Sequence, residues 1–134
     1  VEGDLGVYVN MNNIVQVIGK ENLKEELAID IDSIIENYPP IPKSKEEILF
    51  VERLTKEAVI KAILRHVGRI RNIYGTNGKS KIAEGKDLTG IKYIVGTGGA
   101  LTRLPNRVEI LEYVTKYNKN KELLLPKENT KMIW

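Results

Sequence analysis

Residues 91–105, IKYIVGTGGALTRLP, constrain the fold more than any other stretch of the chain. Ile91, Tyr93, Ile94 and Val95 make a short apolar and β-branched run of the length of a buried strand. Gly96-Thr97-Gly98-Gly99 breaks that run, and a helical pattern resumes after Pro105. A strand, a glycine turn and a helix in that order place bare backbone at the carboxyl edge of a sheet. Ligands of open α/β sheets bind at that edge. Glycine suits it because it reaches backbone angles closed to other residues and lets a flat ring or a phosphate touch main chain. The same letters also fit a tight βα turn that holds no ligand.

Size allows one domain with a core of its own, since the chain has 134 residues. Six tyrosines, one phenylalanine and Trp134 are its only aromatics, so Ile, Leu and Val must supply most of the core. The net charge of +3 is spread along the chain and suits an anionic ligand better than nucleic acid, which wants a denser patch. Having no cysteine excludes a disulfide framework, a thiolate metal site and a cysteine nucleophile. With His66 the only histidine, a histidine-rich metal site is excluded too. No apolar run approaches a membrane span and no signal peptide is visible, so a cytoplasmic protein without membrane contact is expected. The chain opens at Val1 in strand-like sequence, and reads as a piece of a longer protein.

Taken in order, VEGDLGVYVNMNN has a turn at Gly3-Asp4 and then alternates through Leu5, Val7 and Val9, which predicts a strand over residues 5–9. Asn12-Asn13 can cap a short helix over residues 14–18, closed by Gly19. Leu23, Leu27, Ile31, Ile34 and Ile35 recur at helical spacing and predict one amphipathic helix over residues 20–37. YPPIPK then ends this small helical unit with rigid, extended backbone. Ser44 with Glu47 makes a capping box for a long helix, whose apolar positions run through Ile48, Val51, Leu54, Ala58 and Ala62 to Ile63, Val67, Ile70 and Tyr74. That is roughly eight turns at 3.6 residues per turn. Early Glu46, Glu47 and Glu52 and late Lys61, Arg65, Arg69 and Arg71 suit its dipole. Residues 75–90 read as loop. A helix near residues 106–117, the polar NKNK linker, a strand over 122–125 and the start of another at 131–134 complete the chain.

Three other constellations invite a functional reading. Gly75-Thr76-Asn77-Gly78-Lys79-Ser80 looks like a phosphate loop and resembles the GTNGK[ST] of the Mur ligases. A full P-loop needs a glycine where Ile73 stands, and it must lead from a buried strand into a helix, so a surface turn is the expectation. His66 sits beside Arg65 without a second ligand nearby, which fits a helix surface or cap better than metal or acid–base work. The Arg65, Arg69 and Arg71 cluster reads as a solvated helix end, with approach to a nucleotide as the alternative.

VEGDLG and GKDLTGIKYIVGTGGALTRLP together resemble the MutL/GlmL proteins that accompany adenosylcobalamin-dependent glutamate (methylaspartate) mutase, which are unrelated to the mismatch-repair protein of the same name. That family resembles the actin-like ATPases, in which two similar domains close on ATP and magnesium. Gly98-Gly99-Ala100-Leu101-Thr102-Arg103-Leu104-Pro105 is similar to the GGSTRxP adenosine motif of DnaK-type chaperones, with one residue extra and Ala100 in place of the serine. Gly3-Asp4-Leu5-Gly6 is similar to their aspartate-glycine turn.

The resemblance implies an α/β fold: part of the second, ribonuclease H-like domain of an actin-like ATPase, with a short sheet, a long helix and a helical insertion over about residues 11–40. It implies Gly96, Gly98, Gly99, Ala100, Arg103, Gly3 and Asp4 as nucleotide-contacting positions, with no catalytic and no metal-ligating residue in this stretch. ATP and magnesium would belong to the full-length parent and adenosylcobalamin to the partner mutase. The implied function is that of a reactivating chaperone, inactive as this piece alone, with hydrolysis by the parent left open and the insertion as a partner surface. The alternatives are a small-molecule kinase of the same superfamily and a partner-binding module that takes no nucleotide.

Overall fold

A computed structural model describes residues 5–76, 78–117 and 123–134. Gly3 and Asp4, Asn77, Glu122 and the NKNK linker lie outside them. The fold is mixed α/β, as expected, and the long helix is its spine.

The chain enters through a turn at residues 5–10, closed by the Asn10 amide on the Gly6 carbonyl at 2.8 Å, and not through the expected strand. Alternation alone makes no strand without a neighbour. Here the Val7 carbonyl accepts from the Tyr38 hydroxyl at 2.9 Å instead. Helix α1 (Met11–Ile18) follows, starting earlier than expected after Asn10, whose carbonyl accepts from the Asn13 and Ile14 amides, and Gly19 ends it. The amphipathic run beyond is two helices, α2 (Lys20–Leu27) and α3 (Ile31–Glu36). The break is at Ala28, which takes the left-handed conformation at φ 52°. Asp30 then caps α3 by accepting from the Ser33 amide. Lys20 and Lys24 both pair with Asp32, which ties α2 to α3 across the break.

Helix α4 (Lys45–His66) runs 22 residues, about 33 Å at 1.5 Å per residue. Both halves of the capping box form: the Glu47 amide donates to Ser44 Oγ at 3.1 Å and the Ser44 amide to Glu47 Oε1 at 2.9 Å. The helix stops at His66, eight residues short of Tyr74, and Gly68 is the reason. A Cβ there would lie 2.4 Å from the Glu84 carbonyl and 2.7 Å from the Gly85 carbonyl carbon. The backbones cross at that point, and the Gly68 amide donates to Lys86 at 2.7 Å.

The chain then forms β1 (Arg69–Gly75) and β2 (Gly78–Glu84), an antiparallel hairpin in which Gly75 faces Gly78. Half of the expected loop is thus strand. Ile70, Ile73 and Tyr74 carry a spacing that helix and strand share, and Gly68 upstream decides between them.

Strand β3 (Tyr93–Val95), helices α5 (Gly98–Arg103) and α6 (Arg107–Lys116), and strand β4 (Lys131–Ile133) form a parallel β-α-β crossover, with Ile94 opposite Met132. The glycine stretch is therefore already helical from Gly98, one element earlier than expected. In place of the strand over 122–125, Leu123 makes one isolated bridge to Arg69, while Leu124 and Leu125 are buried without strand pairing.

Two apolar clusters hold these elements. The larger joins α1–α3 to the first half of α4 through Ile14, Leu23, Ile31, Phe50 and Leu54, and takes in Leu104 and Ile110. The smaller joins the second half of α4 to α6 through Ile60, Val114 and Leu125, with Ile94 of β3 against it. Between them buried Glu52 of α4 accepts from the Asn106 amide at 3.3 Å and its side chain at 2.8 Å, so a carboxylate of one helix caps the start of another.

Candidate functional site

A cleft of about 720 Å³ opens over the first half of α4. That volume lies within the range of small-molecule sites. Ile48, Val51, Thr55, Ala58 and Val59 of α4 form its floor, the turn at residues 5–8 and the segment 38–42 one side, and the start of α5 the other.

One wall is aromatic. The rings of Tyr38 and Tyr8 stack with centroids 5.7 Å apart, and Tyr38 meets Phe50 edge-on at 5.8 Å. Burial pushes the Tyr38 phenol up to about 12, with Tyr8 adding to the shift, and its hydroxyl donates to the Val7 carbonyl. Thr55 is likewise committed, donating to the Val51 carbonyl at 2.7 Å. The diproline after Tyr38 keeps that wall extended.

On the facing wall the structure separates the glycines that the sequence groups together. Gly98 takes φ +82° and Gly99 an ordinary φ, and a Cβ at either would meet nothing within 4 Å. Both face open space at the cleft, beside half-buried Ala100. The Thr102 hydroxyl donates to the Gly98 carbonyl at 2.7 Å and steadies this first turn. Arg103 lines the same wall, exposed, and is the one charged side chain among the described lining residues. Gly96 is not there. It is buried, and a Cβ would stand 3.0 Å from Leu111 and 3.2 Å from Trp134, so its lack of a side chain serves packing. Gly3 and Asp4 lie outside the described residues, although the turn that follows them forms part of the opposite wall.

No described lining residue is a carboxylate or an imidazole, and no group of three acidic or histidine side chains that could hold a metal occurs among the described residues. The described lining residues thus offer no carboxylate to a magnesium ion. An apolar floor, bare backbone at Gly98 and Gly99 and one cation at the rim suit a flat ring attached to an anionic tail.

The profile of the MutL protein family matches residues 1–134, the whole chain. The chain belongs to the MutL family. Protein MutL of Clostridium tetanomorphum is 34% identical over 119 residues, which cover 84% of this chain and 26% of that protein. The chain thus spans about a quarter of the length of this MutL relative. No solved structure matches it.

Other residues singled out in the sequence lie away from the cleft. In the GTNGKS stretch Gly75 ends β1 and Gly78, Lys79 and Ser80 begin β2, so it leads from strand to strand and lacks the helix start a phosphate loop needs. The arginine cluster is divided between α4, which holds Arg65, and β1, where Arg71 pairs with Glu84 at 3.1 Å. His66 closes α4 at its exposed end. Conversely, the Tyr8–Tyr38 wall and the Thr55–Ala58 floor were not legible as site. Their only signal was a tyrosine fused to a diproline. No helix among the described residues is long and apolar enough to cross a membrane.

Proposed function

We propose that this MutL-family chain forms the adenosine side of a nucleotide cleft in an accessory protein of adenosylcobalamin-dependent glutamate mutase. The full-length protein would have an actin-like, two-domain ATPase architecture and reactivate the mutase. One observation carries the binding part of this reading: Gly98, Gly99, Ala100 and Arg103, the positions of the adenosine-like motif, line a single open cleft together with the turn that follows Gly3-Asp4. Gly98 and Gly99 would meet the adenosine by backbone, with Arg103 beside it. The triphosphate and magnesium would be held by the other domain of the parent. Nucleotide-dependent closure of the two domains would then change affinity for the mutase.

Gly99 supplies the cleaner test. A valine at Gly98 is strained by its positive φ whether or not a ligand is present. At Gly99 a side chain has both an ordinary φ and free space, so Gly99→Val leaves the fold intact and fills the place where the ligand must touch backbone. Calorimetry of the full-length protein with ATP–magnesium should show at least tenfold weaker binding for Gly99→Val, about 1.4 kcal/mol, with an unchanged melting temperature. Equal affinity would remove this wall from the nucleotide site. The 134-residue piece alone should bind ATP far more weakly than the parent, since each charge-assisted hydrogen bond lost with the phosphate contacts removes about 1.5–3 kcal/mol.

A further inference from the structure

Tyr8 and Tyr38 are the two aromatic side chains among the described lining residues of the cleft, and they differ in what surrounds them. Tyr38 is half-buried, whereas Tyr8 is 53% exposed. One face of the Tyr8 ring lies on Tyr38, and no other described ring stacks on it. Its support is built from the core outward. Fully buried Phe50 meets Tyr38 edge-on, and Tyr38 carries Tyr8. The Tyr38 hydroxyl also holds the carbonyl of Val7, the residue beside Tyr8, at 2.9 Å. A ring held in this way before any ligand arrives loses little freedom on binding one. The polar side chains of the cleft point to the same kind of contact. Tyr38 and Thr55 donate their hydroxyl protons to the Val7 and Val51 carbonyls, while Gly98, Gly99 and Ala100 bring no polar side-chain atom. The described polar side chains left over are those of Tyr8, Thr97 and Arg103, and all three residues are exposed, where water competes for them. Strong discrimination between similar ligands needs buried polar groups that only one of them satisfies.

We propose that Tyr8 is the stacking platform for the base, and that the cleft takes adenine and guanine nucleotides alike. The inference rests on the reading above that this cleft holds a nucleoside. It adds which side chain grips the base and how loosely the base is identified. Adenine and guanine differ at their hydrogen-bonding edges, where the amine of one stands in place of the carbonyl of the other. Both present the same flat bicyclic face. Stacking on an aromatic side chain uses that face and tolerates any base. From the facing wall Gly98 and Gly99 let backbone approach, since a Cβ at either would meet nothing within 4 Å. The plainer role for Tyr8 is to cover Tyr38, because single exposed apolar residues are normal on a protein surface. Two substitutions separate the roles. Tyr8→Phe keeps the ring and its stack, while Tyr8→Leu keeps an apolar cover over Tyr38 and removes the flat face.

The test is calorimetry of the full-length protein with ATP–magnesium and with GTP–magnesium. Wild type should bind the two nucleotides with affinities within about threefold of each other, and Tyr8→Phe should match it. Tyr8→Leu should bind both about tenfold more weakly or worse. Thermal melts without nucleotide should place both variants close to wild type, because the buried packing beneath Tyr8 belongs to Tyr38 and Phe50. A Tyr8→Leu protein that melts like wild type and keeps its ATP affinity overturns the platform. Wild-type affinity for GTP about tenfold or more below that for ATP overturns the proposal whatever the variants do, since some group would then be reading the edge of the base. If Gly99→Val weakens ATP binding while Tyr8→Leu does not, the cleft reading stands and this assignment alone falls. If the wild-type protein binds neither nucleotide, the cleft reading itself falls, and this assignment with it.

Discussion

The unit α1–α3 and the hairpin draw on the same apolar alphabet and end at opposite extremes of burial. Along α1–α3, Ile14, Leu23 and Ile31 are at most 2% exposed, while along the hairpin Ile70, Ile73 and Tyr74 are at least 39% exposed. The difference lies in what each element has to lean on. Each of α1–α3 presents one apolar stripe, and α4 offers a face to receive it. The hairpin carries apolar side chains on both of its faces, and no second layer among the described residues meets either. Apolar content alone does not say which residues build a core.

The sharpest contrast comes from emptying the packed side. Phe50 is fully buried, touches Tyr38 edge-on and sits at the centre of the larger cluster. Phe50→Ala should destabilise the chain by about 3–5 kcal/mol in denaturant unfolding. It should also loosen the cleft, because the Tyr38 wall rests on that ring. A loss under about 1 kcal/mol would show that the larger cluster is less closely packed than its burial implies.

The second test is at the joint between the two regions. Gly68→Ala would drive a methyl group into the Glu84 and Gly85 backbone, and neither can yield as a flexible side chain would. Overpacking of this kind costs about 1–3 kcal/mol. Hydrogen exchange should show the effect concentrated in the hairpin amides, with α1–α3 spared. Uniform loosening would mean that the two regions unfold as one unit.

This joint also shows where the sequence was legible and where it was not. The Ser44–Glu47 box fixed the start of α4 because capping is local chemistry, and both hydrogen bonds form. The end of α4 was misplaced by eight residues. Gly68 is tolerated in a helix when only its neighbours are considered, and its real constraint comes from Glu84 and Gly85, sixteen residues or more away. Ala28 is similar, since nothing in its own letter announces a left-handed break. At the cleft, Gly98, Gly99, Ala100 and Arg103 were legible as a motif and do share a wall. Gly96 reads the same in sequence, but it is buried where a side chain would run into Leu111 and Trp134, both far along the chain.

A smaller effect distinguishes the capped start of α4 by pH. The Ser44 and Lys43 amides hold the exposed Glu47 carboxyl below the usual carboxylate range. A lowered folded-state pKa means that the stabilisation is complete above the ordinary glutamate value near about 4.3. It is lost as pH falls through the lower folded value. Wild-type stability should therefore drop more steeply than that of Glu47→Gln below about pH 4. Parallel curves in acid titrations followed by circular dichroism would mean that the carboxylate contributes no pH-dependent cap.

The smallest expected effect is on the hairpin, and it bears most directly on what that element is for. Ile73 lies opposite Ser80 at 43% exposure, so Ile73→Ala removes little that is buried and opens no cavity. The stability of the chain should change by no more than about 0.5 kcal/mol, as for surface sites in general. An equal side chain lost at Ile31, fully buried under α4, should cost about 2–5 kcal/mol. The two substitutions delete the same atoms, so the ratio of their effects measures packing context alone. If Ile73→Ala destabilised the full-length protein as Ile31→Ala does, the hairpin would be part of a core completed by the rest of the parent chain. If it is silent in both the piece and the parent, its isoleucines are left exposed for something other than stability.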